Sequence, residues 1–310
     1  MNAASRVKNE PDGRDHPGSN RGFLLGLGAY TLWGVLPLYF KAIAEVSAVD
    51  IVAHRVLWSL PFLAALIAIG RGWPRVRAAA ASRKTLGVLV LTALLIGGNW
   101  LLYVYAVTSG HILAASFGYY LNPLANVLLG RFVLKEQLTR LQWTAVAIAG
   151  AGISVLAAGA LGQLWISLTL CVSFALYGLL RKVVTADAMT GLGIETALLF
   201  PLALIWLAWR TAAGAPTFGS STTTGGLLLL AGIVSTTPLL LFTAAARKLA
   251  YSTLGMLQFI APTLQFLIAV VLYGEPFTRA HAVAFVAIWT ALALYVTALI
   301  RAPRLPQAPE

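Results

Sequence analysis

Charge is what this sequence lacks. Only 10% of its 310 residues are Asp, Glu, Lys or Arg, and 59% are hydrophobic, whereas a soluble domain carries about a quarter charged residues. The shortage is concentrated: Leu86 to Gly130 is 45 residues without a formal charge, and Leu141 to Leu180 is 40 more. Each run is about twice the ~20 residues that cross a bilayer as a helix. Soluble enzymes, nucleic-acid binders and secreted disulfide scaffolds do not fit such a chain. Cysteine is almost absent too. Cys171 stands alone inside the second run, so there is neither a disulfide framework nor a thiolate metal site. The four histidines, His16, His54, His111 and His281, show no ligand spacing. No His-Glu-x-x-His, Gly-x-Ser-x-Gly, Walker A or Cys-x-x-Cys motif occurs. No cofactor is called for, no metal, and no enzymatic activity; any uphill transport would have to draw on an ion gradient or on exchange.

What is present is a series of apolar stretches of bilayer length. Ser109-Gly110-His111 divides the first uncharged run, and Gly159-Ala160-Leu161-Gly162-Gln163 the second. The reading is an all-α membrane protein of ten helices near residues 22–44, 50–70, 86–108, 111–134, 139–159, 163–182, 190–210, 223–246, 251–273 and 280–300. Residues 1–20, polar and rich in Gly, Pro and Asn, read as a disordered tail, and 301–310 as a second tail. The first apolar stretch, holding Trp33, Pro37 and Tyr39, is too long for a signal peptide and is expected to stay as a span. With the first residue inside, 18 of the 22 basic residues fall on the cytoplasmic side, leaving Lys41, Arg55, Arg210 and Arg279. The positive-inside rule then puts both termini in the cytoplasm of a multi-pass membrane protein. The net charge of +12 reflects topology and attraction to anionic lipid at the cytoplasmic face, not nucleic acid.

The chain also repeats itself. A shift of 139 residues superposes Pro123 on Pro262, Glu136 on Glu275, Thr139 on Thr278 and Arg140 on Arg279; a shift of 144 places Ala29-Tyr30-Thr31-Leu32-Trp33-Gly34 on Ser173-Phe174-Ala175-Leu176-Tyr177-Gly178. The units are 21–159 and 160–300, five helices each. Because five is odd, the second copy enters the membrane from the opposite side, the arrangement that builds alternating-access transporters.

Ala29-Tyr30-Thr31-Leu32-Trp33-Gly34, the Pro123 to Glu136 segment and its second copy Pro262-Thr263 to Gly274-Glu275 resemble the EamA domain of the drug/metabolite transporter superfamily. His54-Arg55-Val56-Leu57-Trp58-Ser59, Leu95 to Leu102, Gly118-Tyr119-Tyr120-Leu121-Asn122-Pro123, Ile194-Glu195-Thr196, Val234 to Leu239 and Gln258 to Thr263 narrow the resemblance to one branch of permeases, over about residues 21–300. It implies a ten-helix inner-membrane permease of two EamA repeats that exports small metabolites or drugs, without naming the substrate. Lys135 stands where the first copy would usually carry glycine before its glutamate, which argues against a tight turn there.

Of ten carboxylates, only Glu195 falls inside an expected span, and an ionisable group in hydrocarbon is a functional hypothesis by default. It would carry a coupling proton, or else cap its helix or pair with Arg181 or Lys182. Arg55, entering span two from the opposite face, lies too far by depth to reach Glu195; Asp50, a substrate carboxylate or lipid head groups are its reachable partners. Pro123 and Pro262, with Pro37 and Pro238, can break helices and free carbonyls toward a cavity. The site lining is expected from Trp33, Asn99, Trp100, Tyr103, Tyr119, Tyr120, Asn122, Tyr177, Thr237 and Gln258, with Asn126 and Gln265 beside them. Each singly could equally serve helix packing. Together they describe an aromatic cavity suited to small amphipathic, neutral or zwitterionic solutes. The expectation is a secondary active transporter, with a passive channel or a membrane enzyme acting on lipid-linked substrate as alternatives. A monomer and a homodimer both fit.

Overall fold

A computed structural model describes residues 17–108, 112–157, 164–215, 217–219, 221–273 and 279–301. These form α1 (Pro17–Ala42), α2 (Ala48–Ile69), α3 (Trp73–Ala81), α4 (Arg83–Thr108), α5 (Ile112–Phe132), α6 (Arg140–Ala157), α7 (Leu164–Val183), α8 (Ala188–Ala212), α9 (Thr222–Ala246), α10 (Tyr251–Leu257), α11 (Ile260–Tyr273) and α12 (Arg279–Arg301). No strand occurs among the described residues. Eight helices are long and apolar enough to cross a membrane: α1, α2, α4, α7, α8, α9, α10 taken with α11, and α12. The stretches expected as spans four and five are helical as α5 and α6, but stand outside those eight. The expected breaks at 109–111 and 159–163, and Glu275, lie outside the described residues.

The chain is turned inside out relative to a soluble protein. Leu24, Ile69, Phe132, Val271 and Ile300 are each at least 66% exposed, while Asn99, Asn122, Asn126, Arg181, Glu195 and Gln258 are buried. An apolar exterior of this extent would aggregate in water and is satisfied by lipid. Inside, small residues let backbones approach closely. A Cβ added at Gly232 of α9 would lie 2.2 Å from the backbone of Trp58 in α2, and one at Gly255 of α10 would lie 2.8 Å from the Pro123 carbonyl oxygen of α5. The principal helix contacts are α6 with α12, α5 with α7 and α10, α1 with α9 and α11, α2 with α8 and α9, and α4 with α7 and α8.

Side-chain caps set several helix starts. Ser47 accepts from the Asp50 N–H at the start of α2, Asp187 from Thr190 at α8, and Ser221 from Thr224 at α9. Thr139 and Gln142 accept from each other's backbone N–H at the start of α6, a capping box.

Three features depart from the sequence reading, and a fourth, the break ahead of Pro262, matches what is expected of that proline. α1 begins at Pro17, so the last four residues of the expected tail are helical; proline's missing N–H costs nothing at a helix start. A short helix, α3, occupies what reads as a basic loop, led in by Trp73 and Pro74 and packed through Ala79 against Leu89 and Ile194. Span nine is broken at Gln258 and Phe259, four residues before Pro262. Proline cannot donate to the carbonyl four residues back, and the Gln258 carbonyl accepts from Ala261 instead, at 3.2 Å. Finally, Lys135 adopts φ 57, so the tight turn is made by lysine despite the left-handed conformation that favours glycine.

Two outcomes follow. Lys135→Gly relieves left-handed strain at a modest cost in chain entropy and should raise stability by about 0.5–1 kcal/mol, read as a higher melting temperature in detergent. Asp187→Ala should cost about 1 kcal/mol by removing the α8 cap. Burial raises the Asp187 pKa, but the N–H and hydroxyl of Thr190 and the nearby Arg75 outweigh it and hold the carboxyl below its ordinary 3.8. The cap's contribution is therefore fully present above that value and lost as pH falls through the lower folded one. A thermal-unfolding series from pH 6 downward should show the wild type and the Ala variant converging.

Candidate functional site

At one end of the bundle, chain segments are stapled across helices. Glu136, in the turn after α5, accepts from the backbone N–H of Tyr251 at 2.5 Å and of Ser252 at 3.0 Å, and from the Ser252 hydroxyl at 2.7 Å. These are the first amides of α10, which have no partner within the helix and carry the positive end of its dipole. The Lys182 ammonium donates to the carbonyls of Ala246 and Leu249, closing the C-terminus of α9. Arg247 reaches back to the carbonyls of Val184 and Ala186 between α7 and α8. One carboxylate and two cations thus tie four helix ends together.

Deeper in, Glu195 of α8 is 2% exposed. It accepts from the Thr92 hydroxyl of α4 at 2.5 Å and the Tyr177 hydroxyl of α7 at 3.4 Å, and lies 3.6 Å from Nε of the fully buried Arg181. The second arm of Arg181 donates to the carbonyls of Asp187 and Ala188, and the bare backbone of Gly191 leaves room for the guanidinium. Nε and Nη1 of Arg181 make no hydrogen bond, so the ion pair is spaced rather than interlocked. Glu195 also forms one wall of a narrow cavity with Val56, Ser59, Trp100, Thr196 and Thr236, with room for about one water-sized body.

Trp100 also borders a second group of side chains, around Arg55 of α2. Its ring covers the Arg55 guanidinium at 4.6 Å, with Phe40 of α1 at 5.9 Å. Arg55 Nε donates to the Ser235 hydroxyl of α9 at 2.7 Å. The titratable groups around Arg55 are the phenols of Tyr119, Tyr39 and Tyr103; the rings of Tyr103 and Tyr119 lie 5.6 Å apart. Phe40, Arg55, Trp100, Tyr103 and Tyr119 are all partly exposed.

The structure brings together Arg55, Trp100, Tyr103 and Tyr119, and separately Glu195 and Tyr177. Trp33 joins an aromatic cluster with Tyr30, Phe174 and Phe242, and its carbonyl accepts from Gln265. Asn99 is committed to helix packing, donating to the Leu170 carbonyl and the Ser173 hydroxyl, both at 2.9 Å. Asn126 donates to the Gln258 side chain at 2.8 Å beside the helix break. Tyr120 packs in the α6 and α12 cluster. Asn122 is fully buried, and its amide has no partner among the described residues. Pro123 sits in an unbroken α5, whereas Pro262 lies just past the break. The cavity wall is Thr236, bonded to Ser59 at 2.7 Å, and not its neighbour Thr237.

Two expectations are corrected. Asp50 is not the partner of Arg55. It pairs with Arg210 of α8 at 3.0 Å and accepts from the Trp206 indole at 2.9 Å. Asp50 is itself 1% exposed in the first turn of α2, so Glu195 is not alone among buried carboxylates. The sequence reading placed Glu136 in the repeat motif without a role; its position ahead of a turn and a capping box signals a loop, but only tertiary structure reveals α10 as its target. Among the described residues no group of three or more His, Cys, Asp or Glu could hold a metal ion.

Glu195→Gln should destabilise by about 3–5 kcal/mol because it strands a buried guanidinium. Combining it with Arg181→Gln should recover part of the loss, measured as a double-mutant cycle on thermal unfolding in lipid nanodiscs. Glu136→Ala should release the Tyr251 and Ser252 amides. Hydrogen exchange at the start of α10 should accelerate by about tenfold or more, as loss of charge-assisted bonds of this kind costs about 1.5–3 kcal/mol.

The pattern of the EamA-like transporter family matches residues 20–158. Over 288 residues the chain is 47% identical to an uncharacterized transporter of Vibrio cholerae, covering 92% of this chain and 94% of that one. It is 44% identical to protein RarD of Escherichia coli over 286 residues, 90% of this chain and 94% of the relative. The uncharacterized transporter YojE of Bacillus subtilis is 38% identical, over 92% and 97% of the two chains. A solved crystal structure 20% identical superposes with a TM-score of 0.70 over 92% of this chain and the whole of the other, which speaks for the fold alone. A multi-pass helical chain with buried charges, matching such relatives over nearly its whole length, belongs to the EamA-like transporter family as a RarD-like permease.

Proposed function

We propose that this protein is a secondary active transporter of the inner membrane that exports small organic solutes by alternating access. In this reading ten spans form two inverted five-helix repeats, residues 21–159 and 160–300, with both termini cytoplasmic. α5 and α6 complete the first repeat, and α10 with α11 act as one broken span.

The observation that carries the reading is the packing. Exchanging each helix for its counterpart turns α1 into α7, α2 into α8, α4 into α9, α5 into α10 with α11, and α6 into α12. The contact of α1 with α9 then becomes that of α7 with α4, α5 with α7 becomes α11 with α1, and α2 with α9 becomes α8 with α4. The pairs α2 with α8, α5 with α10 and α6 with α12 map onto themselves. All of these contacts are present. A chain whose halves pack as interchangeable units has two equivalent ways of arranging them, the physical requirement for opening alternately to either side. The basic residues Arg131, Lys135, Arg140, Arg181, Lys182, Arg247 and Lys248 gather at the end held by Glu136, which supports assigning that end to the cytoplasm. The closure at that end and the narrowness of the Glu195 cavity speak against an open channel.

Reconstituted protein should exchange a labelled small solute against unlabelled solute across a liposome membrane, and a pH gradient should drive accumulation. Glu195→Gln paired with Arg181→Gln, which removes the otherwise stranded guanidinium, should retain exchange and lose gradient-driven accumulation. Absence of both exchange and accumulation across a broad solute panel would sink the transporter reading.

A further inference from the structure

The cations of the bundle interior are unequally provided for. Arg181 has Glu195 and Arg210 has Asp50, but Arg55 has no carboxylate partner among the described residues. The Asp50 carboxylate is occupied by Arg210 and the Trp206 indole, and the titratable groups near Arg55 are phenols, neutral at physiological pH. A guanidinium remains charged under all such conditions. Among the described residues, therefore, no carboxylate compensates the charge of Arg55.

That charge is held in a definite orientation. Ser235 takes Nε, and the Trp100 ring covers one face, so the edge bearing the two terminal nitrogens is left without a protein partner among the described residues. Arg55 is itself partly exposed. The surrounding contacts come from α1, α4, α5 and α9 through Phe40, Trp100, Tyr119 and Ser235. Arg55 thus faces the bundle interior and not lipid head groups. No hydrogen bond occupies the Tyr103 or Tyr119 hydroxyl among the described residues, and both rings stand beside the guanidinium.

Resting on the transporter reading, we infer that Arg55, with the hydroxyls of Tyr103 and Tyr119, is a subsite for the carboxylate of a small organic acid whose apolar body lies against Trp100. The free edge of a guanidinium matches the two oxygens of a carboxylate in a bidentate pair. A single cation suits a monoanion; a phosphate dianion would leave charge uncompensated, since no second basic group contacts Arg55 among the described residues. The aromatic walls select a solute with an apolar portion over a small hydrophilic acid.

The test uses full-length protein in nanodiscs and two probes of nearly equal shape, 3-phenylpropionate and 3-phenylpropanamide, titrated by calorimetry at pH 7. The acid should bind at least about tenfold more tightly than the amide, the scale expected for hydrogen bonds to a charged group. Arg55→Gln should abolish that preference, and Arg55→Lys should keep part of it, because ammonium retains the charge but not the fork. Circular dichroism and thermal unfolding without ligand establish that both variants fold. Equal binding of acid and amide by the wild type, or an undiminished preference in folded Arg55→Gln, would overturn the subsite. Flux is measured separately in proteoliposomes. Solute exchange that is indifferent to Arg55 and to carboxylates rejects the subsite and keeps the transporter; carboxylate selectivity dependent on Arg55 without flux of any solute rejects the transporter and keeps the subsite.

Discussion

A polar group that enters hydrocarbon must bring its partner with it, because no water is there to replace a missing bond. The interior of this protein is organised by that constraint. Glu195 is met by a hydroxyl from α4, a hydroxyl from α7 and the guanidinium of Arg181, so one carboxylate links three helices. Asn99 joins α4 to α7, and Asn126 joins α5 to the break in span nine. Apolar side chains gain little by choosing each other over lipid. Polar partnerships and close approaches at small residues such as Gly232 and Gly255 therefore decide which helix sits against which.

Helix ends follow the same logic. Glu136 supplies the amides that begin α10, and Lys182 the carbonyls that end α9. Each is a charged side chain satisfying backbone groups that a helix terminus leaves open. Such contacts tie the ends of neighbouring helices to one another. The break before Pro262 adds a joint where the ladder is already interrupted, and the Gln258 carbonyl is recovered by a tighter turn. Pro123, in the same register of the first half, leaves α5 continuous. Both prolines remove one ladder bond, but only the stretch before Pro262 is interrupted.

Much of this was legible without coordinates. Composition and the uncharged runs identify the bilayer as the solvent, and turn residues locate helix boundaries within a few positions. The isolation of Glu195 within an apolar stretch marks it as buried. Other features were not legible. α3 reads as a loop because its arginines hide a run of alanines. Lys135 reads as an obstacle to a turn it in fact makes. Asp50 and Arg55 are adjacent enough in sequence to suggest a pair, yet the helix puts them on different faces, and Arg210, 160 residues away, takes the carboxylate instead.

The sequence by itself determined the solvent and the helical class, because hydrophobic length is a property of the chain read locally. Tertiary structure alone decided the pairing of charges. Which cation neutralises which carboxylate depends on the rotation of each helix about its axis and on the helix it meets, and neither is encoded in spacing along one segment. For that reason Arg181 and Arg210 emerge as partnered, while Arg55 is left with an open edge between Trp100 and Ser235.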